Sequence, residues 1–136
     1  MKRFWMLLVV LLSSAAGASA ATPGRISEVQ AKALVLAALN PQQRALPDLA
    51  AIEDERPVTT GFWFYTVIWK GLPNGSVVVG NYAVDPRTAD VFSSTSECDE
   101  QMNPRLAGLQ ARVRTKIHLS ASRYRQLKTK GPLCDS

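Results

Sequence analysis

The sequence predicts an α+β fold: an N-terminal helix, a three-stranded antiparallel meander, and a basic C-terminal helical pair closed by one disulfide. Three observations carry that expectation. Phe62-Trp63-Phe64-Tyr65-Thr66-Val67-Ile68-Trp69 is a run of aromatic and β-branched residues, the types that suit a pleated surface. Ser27 and Gln30 open an alanine-rich stretch with the S-x-x-Q signature of a capping box. Leu106, Leu109, Val113 and Ile117 recur at spacings of three and four behind Asn103-Pro104, tracing one helical stripe.

The chain begins with the three-part pattern of a secretory signal peptide. Lys2 and Arg3 precede the apolar run Phe4 to Leu12, and small residues end in Ala18-Ser19-Ala20. The apolar run is too short to anchor stably across a bilayer. No Cys stands just after the small residues, which argues against lipid attachment there. Cleavage near Ala20 is expected to release residues 21–136 as a single domain without a transmembrane anchor, in the periplasm or outside the cell.

In the mature chain, Ala21 to Arg25 forms a loose arm, and Ser27 then caps a helix from Glu28 to about Leu39. Val29, Ala33, Leu34, Ala37 and Ala38 are expected to share its buried side. Asn40-Pro41 ends it, because the residue before a proline resists helical angles. Leu46, Leu49 and Ile52, spaced by three, suggest a short helical turn after Pro47, and Glu53-Asp54-Glu55 forms a solvated tip.

The aromatic run is the first strand of the meander. Lys70 to Gly75 is a turn containing the Asn-Gly pair typical of hairpins, and Ser76 to Val84 returns. Asp85 to Asp90 has the Asp-Pro start that a type I turn favours, and Val91 to Ser93 or Ser94 makes the third strand. Asn103 then caps a helix with Pro104 at its first position. Ser120 caps a second, shorter helix through Tyr124 and Leu127 that stops near Gly131-Pro132.

Export gives meaning to the cysteines and the charge. Cys98 and Cys134 have no His nearby in sequence and no C-x-x-C context, so a structural bridge is the expected pairing. Such a closure stabilises by about 4 kcal/mol in the chain-entropy estimate. Residues 21–103 carry six basic and ten acidic side chains, whereas residues 104–136 carry eight basic and one acidic. Export argues against nucleic acid as the partner of that basic segment. Anionic envelope glycan, lipid head groups and an acidic protein remain, beside a purely solvated helical face.

Few groups are arranged for catalysis. His118, the single histidine, falls at a helix C-terminus, where the backbone dipole favours an imidazolium and a structural role suffices. Asp85 and Asp90 are a carboxylate pair in spacing, but turn formation explains both positions. No phosphate-cradling glycine loop, metal-ligand pattern or calcium loop is present in the sequence, so no cofactor or metal is expected. The aromatic strand is the stronger clue, because it is apolar on both faces: Phe62, Phe64, Thr66 and Ile68 on one, Trp63, Tyr65, Val67 and Trp69 on the other. Either two layers sandwich the sheet or one face awaits a partner. Trp63, Tyr65 and Trp69, with Asn74 at the 71–75 hairpin tip, are therefore the candidate partner contacts. Arg112, Lys116 and Arg123, with Arg114, Arg125, Lys128 and Lys130, are the candidate contacts to an anionic surface.

The order helix, aromatic strand, hairpin, then Asn81-Tyr82-Ala83-Val84-Asp85-Pro86-Arg87-Thr88-Ala89-Asp90-Val91 resembles the PepSY-type domain over residues 26–94. It departs at Ala89, where that pattern commonly has Gly, and the cysteine-closed basic tail is not part of it. The chain is also similar to small periplasmic immunity proteins that block secreted toxins. Both resemblances imply binding or inhibition rather than catalysis. The expected function is a non-enzymatic envelope protein that binds and inhibits a protein partner such as a toxin or hydrolase. The alternative is envelope association through the basic helices.

Overall fold

A computed structural model describes residues 24–53, 61–72, 75–94 and 99–132. The signal peptide, the acidic residues 54 and 55, Asn74, Cys98 and Cys134 lie outside the described residues. Helix α1 (Glu28–Ala38) and the one-turn helix α2 (Pro41–Arg44) precede strands β1 (Leu49–Glu53), β2 (Trp63–Leu72), β3 (Gly75–Val84) and β4 (Val91–Ser93). Helices α3 (Pro104–Lys116) and α4 (Ala121–Leu127) follow. The strands form one antiparallel sheet in the order β1-β2-β3-β4.

The α+β class holds, but the sheet has four strands where three were expected. The additional strand is β1, paired with β2 from Leu49 opposite Trp69 to Glu53 opposite Tyr65. The three-residue spacing of Leu46, Leu49 and Ile52 suggested a helical turn. Leu49 and Ala51, two apart, instead pack on the core, while Ile52 is 44% exposed. Asp48 just before the strand takes a left-handed φ of 55°, which stops helical continuation there. Asn40 likewise does more than end α1. It caps α2, its side chain accepting from the Gln43 N–H at 2.8 Å while the Gln43 side chain accepts from the Asn40 N–H.

Helix α1 starts at its capping box, with the Ser27 hydroxyl accepting from Gln30 N–H at 3.2 Å and the Gln30 side chain accepting from Ser27 N–H at 2.7 Å. Its buried residues are Ala31, Leu34, Val35, Ala37 and Ala38. Val29, expected inside, is 79% exposed, and Ala33 is exposed too. The helix is apolar around most of its girth, so spacing alone could not select the face that docks. The small Ala31, Ala37 and Ala38 allow close approach, and they share one core with Tyr65, Val67, Val84, Val91, Leu106 and Val113.

That core places α1 and α3 on the same side of the sheet. The helix-facing side carries Trp63, Tyr65 and Val67; the outward side carries Phe64, Thr66 and Ile68. Near β4 the outward side is closed. Phe62, Ala83 and Phe92 are buried there, with the Phe62 and Phe92 rings edge to face at 5.9 Å and Gly131 seated against Phe92. Toward β1 the outward side opens, and Val78 is 56% exposed. A bulge shifts the β2–β3 register between Val67 opposite Gly80 and Ile68 opposite Val78. It breaks the alternation of β3, so that Val78 faces outward while Val79 packs on the core.

Helix α3 ends in a Schellman closure. His118 takes φ 55° and its N–H donates to Thr115 O at 3.1 Å, while Leu119 N–H donates to Arg114 O at 2.9 Å.

Leu34 is fully buried and Val29 is not. Leu34→Ala is therefore expected to cost about 2–5 kcal/mol and Val29→Ser less than about 0.5 kcal/mol. Urea unfolding followed by circular dichroism measures both, and equal losses would contradict this docking of α1.

Candidate functional site

The β3–β4 turn, Asp85 to Asp90, is the polar centre of the molecule. Its two carboxylates are buried, each 1% exposed. Asp85 Oδ1 accepts from the Arg87 N–H at 2.9 Å and from Arg87 Nε at 3.0 Å, and Oδ2 accepts from Arg87 Nη2 at 2.8 Å. The backbone closes the turn through Ala89 N–H to Asp85 O at 2.9 Å and Asp85 N–H to Asp90 O at 3.0 Å. Ala89 is fully buried at φ 63°, a region in which glycine is favoured. Outward-pointing carbonyls recruit the helices. Pro86 O accepts from Ile26 N–H at 2.9 Å, Thr88 O from Arg114 Nε at 2.7 Å, and Ala89 O from Gln110 Nε2 at 3.0 Å.

Asp90 links α3 and α4 to the turn. Its Oδ1 accepts from Arg114 Nη2 at 2.7 Å and from the Tyr124 hydroxyl at 3.0 Å. Its Oδ2 has no hydrogen-bond partner among the described residues, and Lys128 Nζ stands 3.9 Å away. Lys128 donates instead to both Glu100 oxygens, at 2.8 and 2.9 Å, and to the Tyr124 hydroxyl at 3.0 Å. The Arg114 guanidinium lies 4.4 Å from the Tyr124 ring centre.

Burial raises the Asp90 carboxyl above its ordinary value, against the opposing pull of Lys128, Thr88, Tyr124 and Arg114. Burial also raises the Tyr124 phenol. It works against the Lys128 ammonium, but hydrogen bonds to Glu100 and Tyr124 and the charges of Asp90 and Glu100 outweigh it, so Lys128 is held above the usual lysine value. A cleft of about 370 Å³ opens beside this chain of charges, with Met102, Gln110, Arg114 and Tyr124 on its walls. The polar groups here bind one another, bracing two helices on one turn. Among the described residues no group of three or more His, Cys, Asp or Glu could hold a metal ion.

The expected contact residues are dispersed. Tyr65 is 1% exposed and belongs to the core, which corrects its placement on a partner-binding face. Trp63 is half-buried on the same core. Trp69 is half-buried with its ring folded over Gly71, where any Cβ would collide with it. The strand side expected to meet a partner is thus the side that α1 covers. The open surface is the reverse side, with Ile52, Ile68 and Val78, which sequence reasoning missed. Thr66 and Asn81, hydrogen-bonded across the strands at 2.8 Å, are the polar pair that could have marked it.

Arg112, Lys116 and Arg123 are exposed, and Arg123 donates to Gln126 at 3.1 Å. Arg114 and Lys128 are engaged inside the Asp90 cluster, so they are not free to meet an anionic surface. Among the described residues no helix is long and apolar enough to cross a membrane.

No family model matches the chain, and no curated protein matches it. Among solved structures, it is similar to a chain in the structure of a type VI secretion system effector–immunity complex from Pseudomonas protegens. The two are 22% identical with a TM-score of 0.54, over 75% of this chain and 85% of that one. At this identity the likeness is one of fold.

Arg114→Met removes charge-assisted bonds from Asp90 and from the Thr88 carbonyl, and is expected to cost about 3 kcal/mol in urea unfolding. The raised Asp90 value also has a definite sign. The native state keeps this proton above pH 3.8, where the unfolded chain releases it, so the Asp90 contribution to stability falls as pH rises from there through the native value. Unfolding free energies of Asp90→Asn across that window are expected to lack the falling component seen in the wild type.

Proposed function

We propose that this chain is an exported, non-enzymatic binding protein that neutralises a secreted toxin in the manner of an immunity protein. The fold likeness carries the reading, because it extends over 85% of a chain taken from an effector–immunity complex. The export pattern of residues 1–20 supports it, since a protective inhibitor must meet its toxin in the compartment where the toxin arrives. The chemistry of the polar centre is in keeping with it. Inhibition by occlusion needs a rigid surface rather than a reactive group, and the Asp85–Asp90 turn braces the helices against the sheet. A stable inhibitory interface covers roughly 800 Å² on each partner. The exposed Ile52 and Val78 on the open side of the sheet supply surface of the kind such contacts use.

The test is protection. A toxin encoded beside this chain is directed to the periplasm of a bacterial host, with and without co-expression of the full chain. Survival with the chain present, and a stable complex on gel filtration, are the expected results. Killing despite correctly exported chain would overturn the reading. Intact mass of the exported protein is expected to match residues 21–136, two hydrogens lighter than the reduced chain if Cys98 and Cys134 are bridged. A mass retaining residues 1–20 would contradict export by cleavage.

A further inference from the structure

At the junction of α1, α2, β1 and α3 the described residues leave two adjoining hollows of about 490 and 180 Å³. Leu39, Arg44 and Arg105 border both, so the hollows form one groove. Its floor is apolar, with Leu36 and Leu49 beside Leu39, and Met102 stands at the rim 83% exposed. Its charge has one sign. Arg44 and Arg105 border the groove, and among the described residues no acidic one does.

Arg105 is placed against its own helix. It occupies the first turn of α3, where the backbone dipole favours an anion, and that turn has no acidic residue. Its side chain makes no hydrogen bond or ion pair to a described residue. Other polar groups here are engaged. The Asn103 amide nitrogen donates to Ala37 O at 3.0 Å and Ala38 O at 3.3 Å, while its oxygen caps Leu106 N–H at 2.9 Å. Arg44 donates through Nη1 to Leu39 O, which leaves the other donors of its guanidinium. Two cations and a helix N-terminus therefore converge on an apolar hollow with no counter-charge among the described residues.

Two surface stripes lead away from this groove. Leu36 continues the exposed positions Val29 and Ala33 along α1, at spacings of four and three. Arg105 continues to Arg112 and Lys116 along α3, at spacings of seven and four, which puts all three on one helical face. An apolar lane and a basic lane share one origin.

We propose that this groove is the docking site for a segment of a protein partner in which aspartate or glutamate is flanked by large apolar side chains. The carboxylate meets the Arg44 and Arg105 guanidiniums, which recognise it with paired hydrogen bonds, and the apolar side chains fill the Leu36–Leu39–Leu49 floor. Met102 adapts to the ligand's shape. A flat polyanion would satisfy the arginines but leave the hollow empty, so charge and shape together select a peptide. The assignment of the toxin as that partner rests on the inhibitor reading above; the groove's chemistry does not.

The experiment uses the full mature chain, wild type, Arg105→Glu, and Arg44→Glu/Arg105→Glu. A displayed library of random short peptides is selected on each. Glutamate in the first turn of α3 suits the helix dipole, so Arg105→Glu is expected to fold normally and provides the control if the double variant does not. Sequences pairing Asp or Glu with Leu, Phe or Trp should be enriched on the wild type. Their affinity should fall about tenfold in Arg105→Glu and about a hundredfold in the double variant. No enrichment, enrichment without acidic residues, or affinities unchanged in folded variants would overturn the proposal. So would variant-sensitive binding to phosphatidylglycerol vesicles with no acidic peptide recovered. A toxin complex that tolerates both variants fails the groove while leaving the inhibitor reading intact. Acidic peptides selected on a chain that binds no toxin would fail the inhibitor reading alone.

Discussion

Two buried carboxylates, Asp85 and Asp90, set the terms for the rest of the molecule. A carboxylate stripped of water costs several kcal/mol unless it is paired and hydrogen-bonded. Asp85 is satisfied locally, by the backbone and side chain of Arg87 two residues on. Within the turn the Asp90 backbone bonds to Asp85 N–H and to the Thr88 hydroxyl, while its carboxylate draws on Arg114 from α3 and Tyr124 from α4. The carbonyls of the same turn hold Ile26, Gln110 and Arg114. Docking of three helices is therefore coupled to one six-residue turn, and their packing in turn determines which surfaces stay open.

The aromatic strand had two faces of nearly equal hydrophobicity, and the fold had to choose between them. Placing Tyr65 and Val67 inward lets α1 approach through Ala31, Ala37 and Ala38, small enough for a helix to lie close on a sheet. Placing Phe62 and Phe64 outward still buries Phe62 against Phe92, because Gly131 brings the chain back over that corner. What remains outward toward β1 is Ile52, Ile68 and Val78, with Thr66 and Asn81 satisfying each other. The β3 bulge makes this arrangement compatible with a valine-rich strand that lacks strict alternation.

The basic C-terminal quarter behaves as two populations. Arg114 and Lys128 neutralise buried or half-buried acids and are structural. Arg105, Arg112 and Lys116 form an exposed line that ends at an apolar groove. A sequence count treats all of these charges alike; their partners in space separate the cations that hold the fold from those left to meet another molecule.

Local chemistry was legible in the sequence wherever a few neighbouring residues decide the outcome. The Ser27 box and the Asn103 and Ser120 caps are fixed by hydrogen bonds within three residues, the Asp85–Asp90 turn by bonds within five, and strands β2 to β4 announce themselves by runs of β-branched and aromatic residues between turns. Which face of α1 is buried, the existence of β1, the inward side of β2 and the employment of Arg114 were not legible. Leu49 pairs with Trp69 and Arg114 with Asp90 across some twenty residues of chain. Tertiary packing alone decided those, since an apolar residue is equally content in any dry environment and only the assembled layers say which one it enters. The sequence by itself determined α1, strands β2 to β4, the helices α3 and α4, their order and the turn at their centre; the tertiary structure added β1 and decided which surfaces were left for a partner.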